Sequence, residues 1–111
     1  MLLQEPLRLN AIVNMTKNLK NDSYAHSVLL LYKAEAFDNL GMSEAAIITL
    51  STILKKKSGR PDMFLLEAQF QRGCLYLKAG KKSNAIKDLS AVCAVDPSYA
   101  NARQLLLQLN P

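Results

Sequence analysis

Apolar side chains recur at three- and four-residue spacing, which is the spacing of one face of an α-helix. The pattern is clearest near the C-terminus, where Ala102, Leu105, Leu106 and Leu109 share one side of a predicted helix. Breaks in the pattern predict six helices, at about residues 5–20, 23–40, 43–57, 62–79, 82–94 and 98–109. Only four Gly and four Pro occur in 111 residues, which is few for a sheet protein that needs many turns. We therefore predict an all-α fold.

Two segments of the chain, residues 31–50 and 70–89, align with each other without a gap. The coinciding pairs are Ala34 with Gly73, Phe37 with Tyr76, Gly41 with Gly80, Ala46 with Ala85, and Leu50 with Leu89. Each of Gly41 and Gly80 follows a predicted helix, where the chain must enter a left-handed conformation. The small residues let two helices approach closely, and Ser43 and Ser83 are expected to cap the helices that follow. The alignment thus predicts one helix hairpin that occurs twice.

The spacing of these positions, followed by Asp96-Pro97-Ser98-Tyr99, resembles the tetratricopeptide repeat. The second copy matches best, because Pro97 stands at the proline position of the family. The first copy has a longer loop, so Gly41 and Gly80 lie 39 residues apart where the family has about 34. The resemblance implies an α-α superhelix of antiparallel hairpins. Its expected parts are an N-terminal helix or degenerate half-repeat (1–22), two repeats (23–61 and 62–97) and a C-terminal capping helix (98–111).

In this family the first helix of each hairpin lines a concave face that binds other proteins. The resemblance places seven candidate partner-binding residues there, namely Leu31, Glu35, Asp38, Glu67, Phe70, Leu77 and Lys78. Family members that hold a C-terminal carboxylate use Lys and Asn on this face, but Leu31, Glu35, Phe70 and Cys74 stand here. We expect instead an apolar segment or an amphipathic helix that carries a basic residue. The alternative is that these apolar residues pack on neighbouring helices, and residues 5–20 would then cover the groove.

The candidate chemistry does not indicate an enzyme. His26 is the only histidine, and Cys74 and Cys93 lie 19 residues apart, which is not the spacing of a zinc knuckle. Glu35 and Asp38 share a helix face, but they accompany no nucleophile or base. We therefore predict no catalytic residue, metal or cofactor. Arg72 and Asp88 are instead expected to form an ion pair between the two arms of the second hairpin.

The net charge of +5 is unevenly distributed, because residues 51–90 carry +6 and the remainder carries −1. This asymmetry leaves nucleic acid or an acidic protein surface open as an alternative partner. Two repeats are fewer than the three or so that make a stable array. Self-association, or a place within a longer repeat protein, is therefore a further alternative.

No apolar run reaches the roughly 18 to 20 residues that cross a membrane. The N-terminal residues also lack the pattern of a secretory signal. We expect a cytoplasmic protein whose two cysteines are free thiols.

Overall fold

The computed structural model describes residues 4–15 and 17–109. Over these residues the chain forms six helices: α1 (Gln4–Met15), α2 (Tyr24–Asn39), α3 (Ser43–Leu54), α4 (Asp62–Lys78), α5 (Lys82–Val95) and α6 (Ala102–Leu109). Each helix packs chiefly on the next one along the chain. The result is a row of antiparallel hairpins, and it confirms the predicted all-α, α-α superhelical fold.

The turns at Gly41 and Gly80 have the same hydrogen bonds. Both glycines have positive φ angles, 80° and 75°. The amide of the following residue donates to a carbonyl five residues back, from Met42 to Phe37 and from Lys81 to Tyr76, at 2.8 Å in each case. This Schellman arrangement satisfies carbonyls that a helix end leaves free, so the predicted role of the glycines is confirmed.

The predicted caps at Ser43 and Ser83 are wrong. The N-cap positions of α3 and α5 are Met42 and Lys81, and neither helix start has a side-chain capping bond. Ser43 is the first residue of α3 and Ser83 is the second residue of α5, so both serines lie beyond the N-cap position. By contrast, Ser23 caps α2, where its hydroxyl accepts the backbone N–H of His26.

The small repeat positions allow close packing within the hairpins. A Cβ atom added to Gly73 would lie 3.1 Å from Leu89 and 3.3 Å from the Asp88 side chain. The other small and leucine positions are almost fully buried: Ala34, Ala46, Leu50, Ala85 and Leu89. Phe37 and Tyr76 pack against the first core cluster, which is built on Leu30, Ala34, Ala46, Ile47, Leu50, Ile53, Ala68 and Leu75. The second core cluster consists of Leu66, Leu89, Val92 and Ala102. Close contact of the two arms therefore explains the residue sizes at these positions.

The predicted ion pair joins the arms of the second hairpin. Arg72 contacts Asp88 in bidentate fashion, with Nε–Oδ2 and Nη2–Oδ1 distances of 2.8 Å. The Asp88 side chain is only 4% exposed, and this hydrogen-bonded carboxylate raises the pKa of Arg72. Arg72 also donates to Ser51 of α3 at 3.2 Å. One buried cluster thus ties together α3, α4 and α5.

The long loop between α3 and α4 is held by Arg60. Its guanidinium donates to the backbone oxygen and to Oδ1 of Asn21, both at 3.0 Å, and to the hydroxyl of Ser27 at 3.1 Å. Asn21 in turn donates to the carbonyls of Thr52 and Ile53. These bonds cap α3, which therefore ends at Leu54 rather than near residue 57 as predicted.

The first and last helices are shorter than predicted. The helix expected over residues 5–20 ends at Met15. Leu19 lies outside the helix and packs against the first core cluster. The helix expected over residues 98–109 begins at Ala102, because Ala100 has a φ of 45° and interrupts the turn. Leu105, Leu106 and Leu109 nevertheless pack against the core cluster at the α5 end, as expected of a capping helix.

Candidate partner-binding groove

A groove of about 300 Å³ lies between α2 and α4, the first helices of the two hairpins. We call it the α2–α4 groove. Its lining residues are Ala34, Glu35, Asp38 and Asn39 from α2, and Phe70, Gln71, Cys74, Leu75 and Lys78 from α4. None of these nine comes from α1, which packs on α2. The suggestion that residues 5–20 cover the groove therefore has no support from the described part of the chain.

Three contacts cross between the two helices. Tyr24 and Phe64 meet edge to face with ring centroids 5.2 Å apart, Gln71 Nε2 lies 3.4 Å from Glu35 Oε1, and Lys78 Nζ lies 3.1 Å from Asp38 Oδ1. Because the contacts follow the same order along both helices, α2 and α4 run in parallel. They enclose a groove with an apolar floor and a charged rim.

Glu67 is occupied by contacts within the chain. Its carboxylate accepts hydrogen bonds from Gln71 Nε2 at 2.7 Å and from the hydroxyl of Tyr99. The ring of Tyr99 also meets Phe70 edge to face at 5.5 Å. Burial, and secondly the bond to Glu67, raise the pKa of Tyr99, so its hydroxyl remains a donor at neutral pH. Glu67 thus anchors the turn before α6 to the end of the groove.

The seven predicted binding residues do not all reach the groove. Glu35, Asp38, Phe70 and Lys78 line it. Leu31 and Leu77 are not among the lining residues. Leu31 packs against the first core cluster and Leu77 against the second. Glu67 lies beside the groove, held as described above. A binding role for any of the seven remains a prediction.

Sequence reasoning missed two exposed apolar residues of α2. Tyr32 is 57% exposed and Leu29 is 44% exposed, although both lie in α2. Residues three apart on a helix share a face, so Leu29, Tyr32 and Glu35 form one stripe. That spacing was available in the sequence.

The charge of the groove is opposite to that of the whole chain. Its lining residues include two carboxylates, Glu35 and Asp38, and one ammonium group, that of Lys78, whereas the chain carries +5. Loops that carry lysines lie at the two ends of α4, at residues 55–61 and 79–81. They are far apart, because α4 has 17 residues and is therefore about 25 Å long. Lys56 and Lys81 in these loops pair with Asp22 and Glu44. Among the described lysines, Lys78 alone lines the groove, and there it pairs with Asp38.

The two free cysteines occupy different surroundings. Cys74 lines the groove, and Cys93 packs beside α6 against the second core cluster. Burial, and secondly the nearby carboxylate of Glu67, raise the pKa of the Cys74 thiol. The Cys74 thiol is therefore expected to react slowly with alkylating reagents, and a ligand in the groove should slow this reaction further.

A second hollow of about 250 Å³ lies where α3, α4 and α5 meet at one edge of the array. Its lining residues are Leu54, Lys57, Asp62, Leu65, Leu66, Gln69 and Val95. Its lining has no aromatic side chain and shares no residue with the groove. It is therefore the alternative site at which a ligand could bind.

Residues 67–99 match the family model of the tetratricopeptide repeat. The match runs through α4 and α5 and ends at Tyr99, and the α2–α3 hairpin repeats the same glycine turn. The match and the repeated hairpin support the tetratricopeptide-like helical repeat that the sequence pattern predicted. A search of curated proteins found no match. Among the described residues, no helix is both long and apolar enough to cross a membrane.

Proposed function

We propose that this chain is a non-catalytic protein-interaction module that binds a peptide or a helix of another protein in the α2–α4 groove. The tetratricopeptide match supports protein interaction in general terms. The observation that supports this location of the binding site is the groove itself, which is open to solvent and is lined in part by Phe70, Cys74 and Leu75. We also propose a cytoplasmic location, since both cysteines are free thiols.

The size of the groove limits what it can hold. About 300 Å³ is at the lower end of ligand pockets, enough for one or two side chains but not for a whole helix. A bound segment would insert an apolar side chain between α2 and α4 and lie on Tyr32, which is exposed one helical turn from the lining residue Glu35. This is the way in which amphipathic helices bind shallow grooves.

The test is selection of peptide ligands followed by cysteine footprinting. A displayed random peptide library is selected on the protein, and the bound peptides are then tested for protection against alkylation at mildly alkaline pH. A ligand in the groove slows alkylation of Cys74 and leaves Cys93 unchanged. Equal rates at Cys74 with and without ligand, or failure to select any peptide, would contradict the proposal.

Surface variants provide a matched control. Tyr32→Ala removes an exposed ring beside the groove, and Ile48→Ala removes a side chain of similar exposure, 64%, from α3. We expect Tyr32→Ala to weaken the selected peptides about tenfold, the effect of a modest interface contact, and Ile48→Ala to leave them unchanged. Leu31 and Phe70 are unsuitable for this test, because both pack on core clusters.

A further inference from the structure

We infer that the α2–α4 groove selects positively charged partner segments, in which a lysine or arginine contacts Glu35 and an adjacent apolar side chain rests on Tyr32 and the groove floor. The inference rests on the proposed function and names its class of ligand. It concerns one carboxylate, because the structure distinguishes Glu35 from its two acidic neighbours.

Those two neighbours are already engaged within the chain. Asp38 holds Lys78 through both carboxylate oxygens, at 3.1 and 3.4 Å. Glu67 accepts from Gln71 at 2.7 Å and from Tyr99. Glu35 has the weakest of these contacts, 3.4 Å from the same Gln71 amide that lies 2.7 Å from Glu67. Its exposed carboxylate therefore keeps most of its capacity to accept hydrogen bonds from a cation.

Three other described carboxylates have cations of their own. Asp22 pairs with Lys56, Glu44 pairs with Lys81, and Asp88 pairs with Arg72. Glu35 instead lines the groove, and the exposed Tyr32 lies one helical turn away on α2. A cation at this position gains both the charge of Glu35 and the face of an aromatic ring, which attracts ammonium and guanidinium groups.

The net charge of the whole chain opposes the preference for basic segments that we infer. At +5, the protein as a whole attracts acidic segments and repels basic ones. A preference for basic segments therefore requires a local acidic site. The groove, with more carboxylates than ammonium groups in its lining, supplies that site.

The test uses two synthetic helical peptides with one leucine pattern, one carrying lysines and the other glutamates at the polar positions. Binding is measured by fluorescence anisotropy at physiological salt. We expect the lysine peptide to bind and to protect Cys74, and the glutamate peptide to bind at least tenfold more weakly. Glu35→Gln should weaken the lysine peptide about three- to fivefold, which is the effect of an exposed charge pair. Glu35→Lys should reverse the preference.

The matched control is Glu44→Gln, which removes another exposed carboxylate, from α3 and outside the groove lining. It should change neither affinity. Equal affinity for the two peptides, stronger binding of the glutamate peptide, no binding of the lysine peptide, or an unchanged affinity in Glu35→Gln would overturn the inference. If the selected ligands still protect Cys74 in those cases, the proposed function stands without its charge preference. Ligands that bind without protecting Cys74 contradict the proposed function itself.

Discussion

Replacing Arg72 by methionine tests the buried cluster that joins α3, α4 and α5. Methionine keeps most of the aliphatic length of arginine but removes the charge and the donors. Asp88, whose side chain is 4% exposed, then loses both 2.8 Å bonds and keeps only the amide of Gln69 at 3.5 Å. The variant therefore leaves a buried carboxylate without a compensating cation.

The cost follows from that burial. Removing one partner of a buried pair costs about 3 to 5 kcal/mol, and we take the lower end because the Arg72 side chain is 20% exposed. For a domain of 111 residues, each kcal/mol lowers the melting temperature by about 4 °C. We expect Arg72→Met to lose about 3 kcal/mol and about 12 °C. Lys78→Met breaks the exposed pair with Asp38 and should lose less than about 1 kcal/mol.

The assay is urea unfolding followed by far-ultraviolet circular dichroism, with the double variant Arg72→Met/Asp88→Asn included. A neutral amide costs less to bury than an unpaired carboxylate. The double variant should therefore recover at least about 1 kcal/mol relative to Arg72→Met. A double variant no more stable than Arg72→Met, or equal losses for Arg72→Met and Lys78→Met, would refute the reasoning.

Three further predictions concern the turns and the long loop, each measured by the same unfolding assay. Gly80→Ala should lose about 1 kcal/mol, because its φ of 75° strains any L side chain although no atom lies near the added methyl group; no loss would contradict the turn geometry. Ala100→Gly should gain roughly 0.5 kcal/mol, since relief at a φ of 45° exceeds the extra chain entropy of glycine, and a loss would count against it. Arg60→Met should lower the free energy of unfolding by about 2 kcal/mol, because it removes the bonds to Asn21 and Ser27. Lys57→Met in the same loop should change it by no more than about 0.5 kcal/mol. Equal effects of the two variants would show that the Arg60 bonds do not stabilise the loop.

The repeat could be predicted because its determinants are local or steric. A left-handed turn requires a glycine at one position, such as Gly41, and that glycine is visible in the sequence. The close approach of two helices requires small residues on both of them, such as Gly73 and Ala85. The Arg72–Asp88 pair followed from the hairpin, since the repeat alignment set the register of the two arms. These features need no knowledge of distant parts of the chain.

The groove was less predictable, because its helices are apolar on more than one side. α2 packs against both α1 and α3, so spacing alone does not show which leucine enters a core and which faces solvent. Leu31 was therefore predicted as a lining residue although it packs against the first core cluster, and the exposed Leu29 was overlooked. The bonds of Arg60 to Asn21 and of Tyr99 to Glu67 join residues 39 and 32 positions apart, and no local pattern indicates them.

The most direct test of the central claim is amide chemical-shift mapping of isotope-labelled protein during titration with a selected peptide. Binding in the α2–α4 groove predicts that the largest changes occur at Tyr32, Glu35, Gln71 and Cys74, which lie beside or within it. Changes centred instead on the second hollow, at Leu54, Leu65 and Val95, would contradict the claim that the groove between α2 and α4 holds the partner.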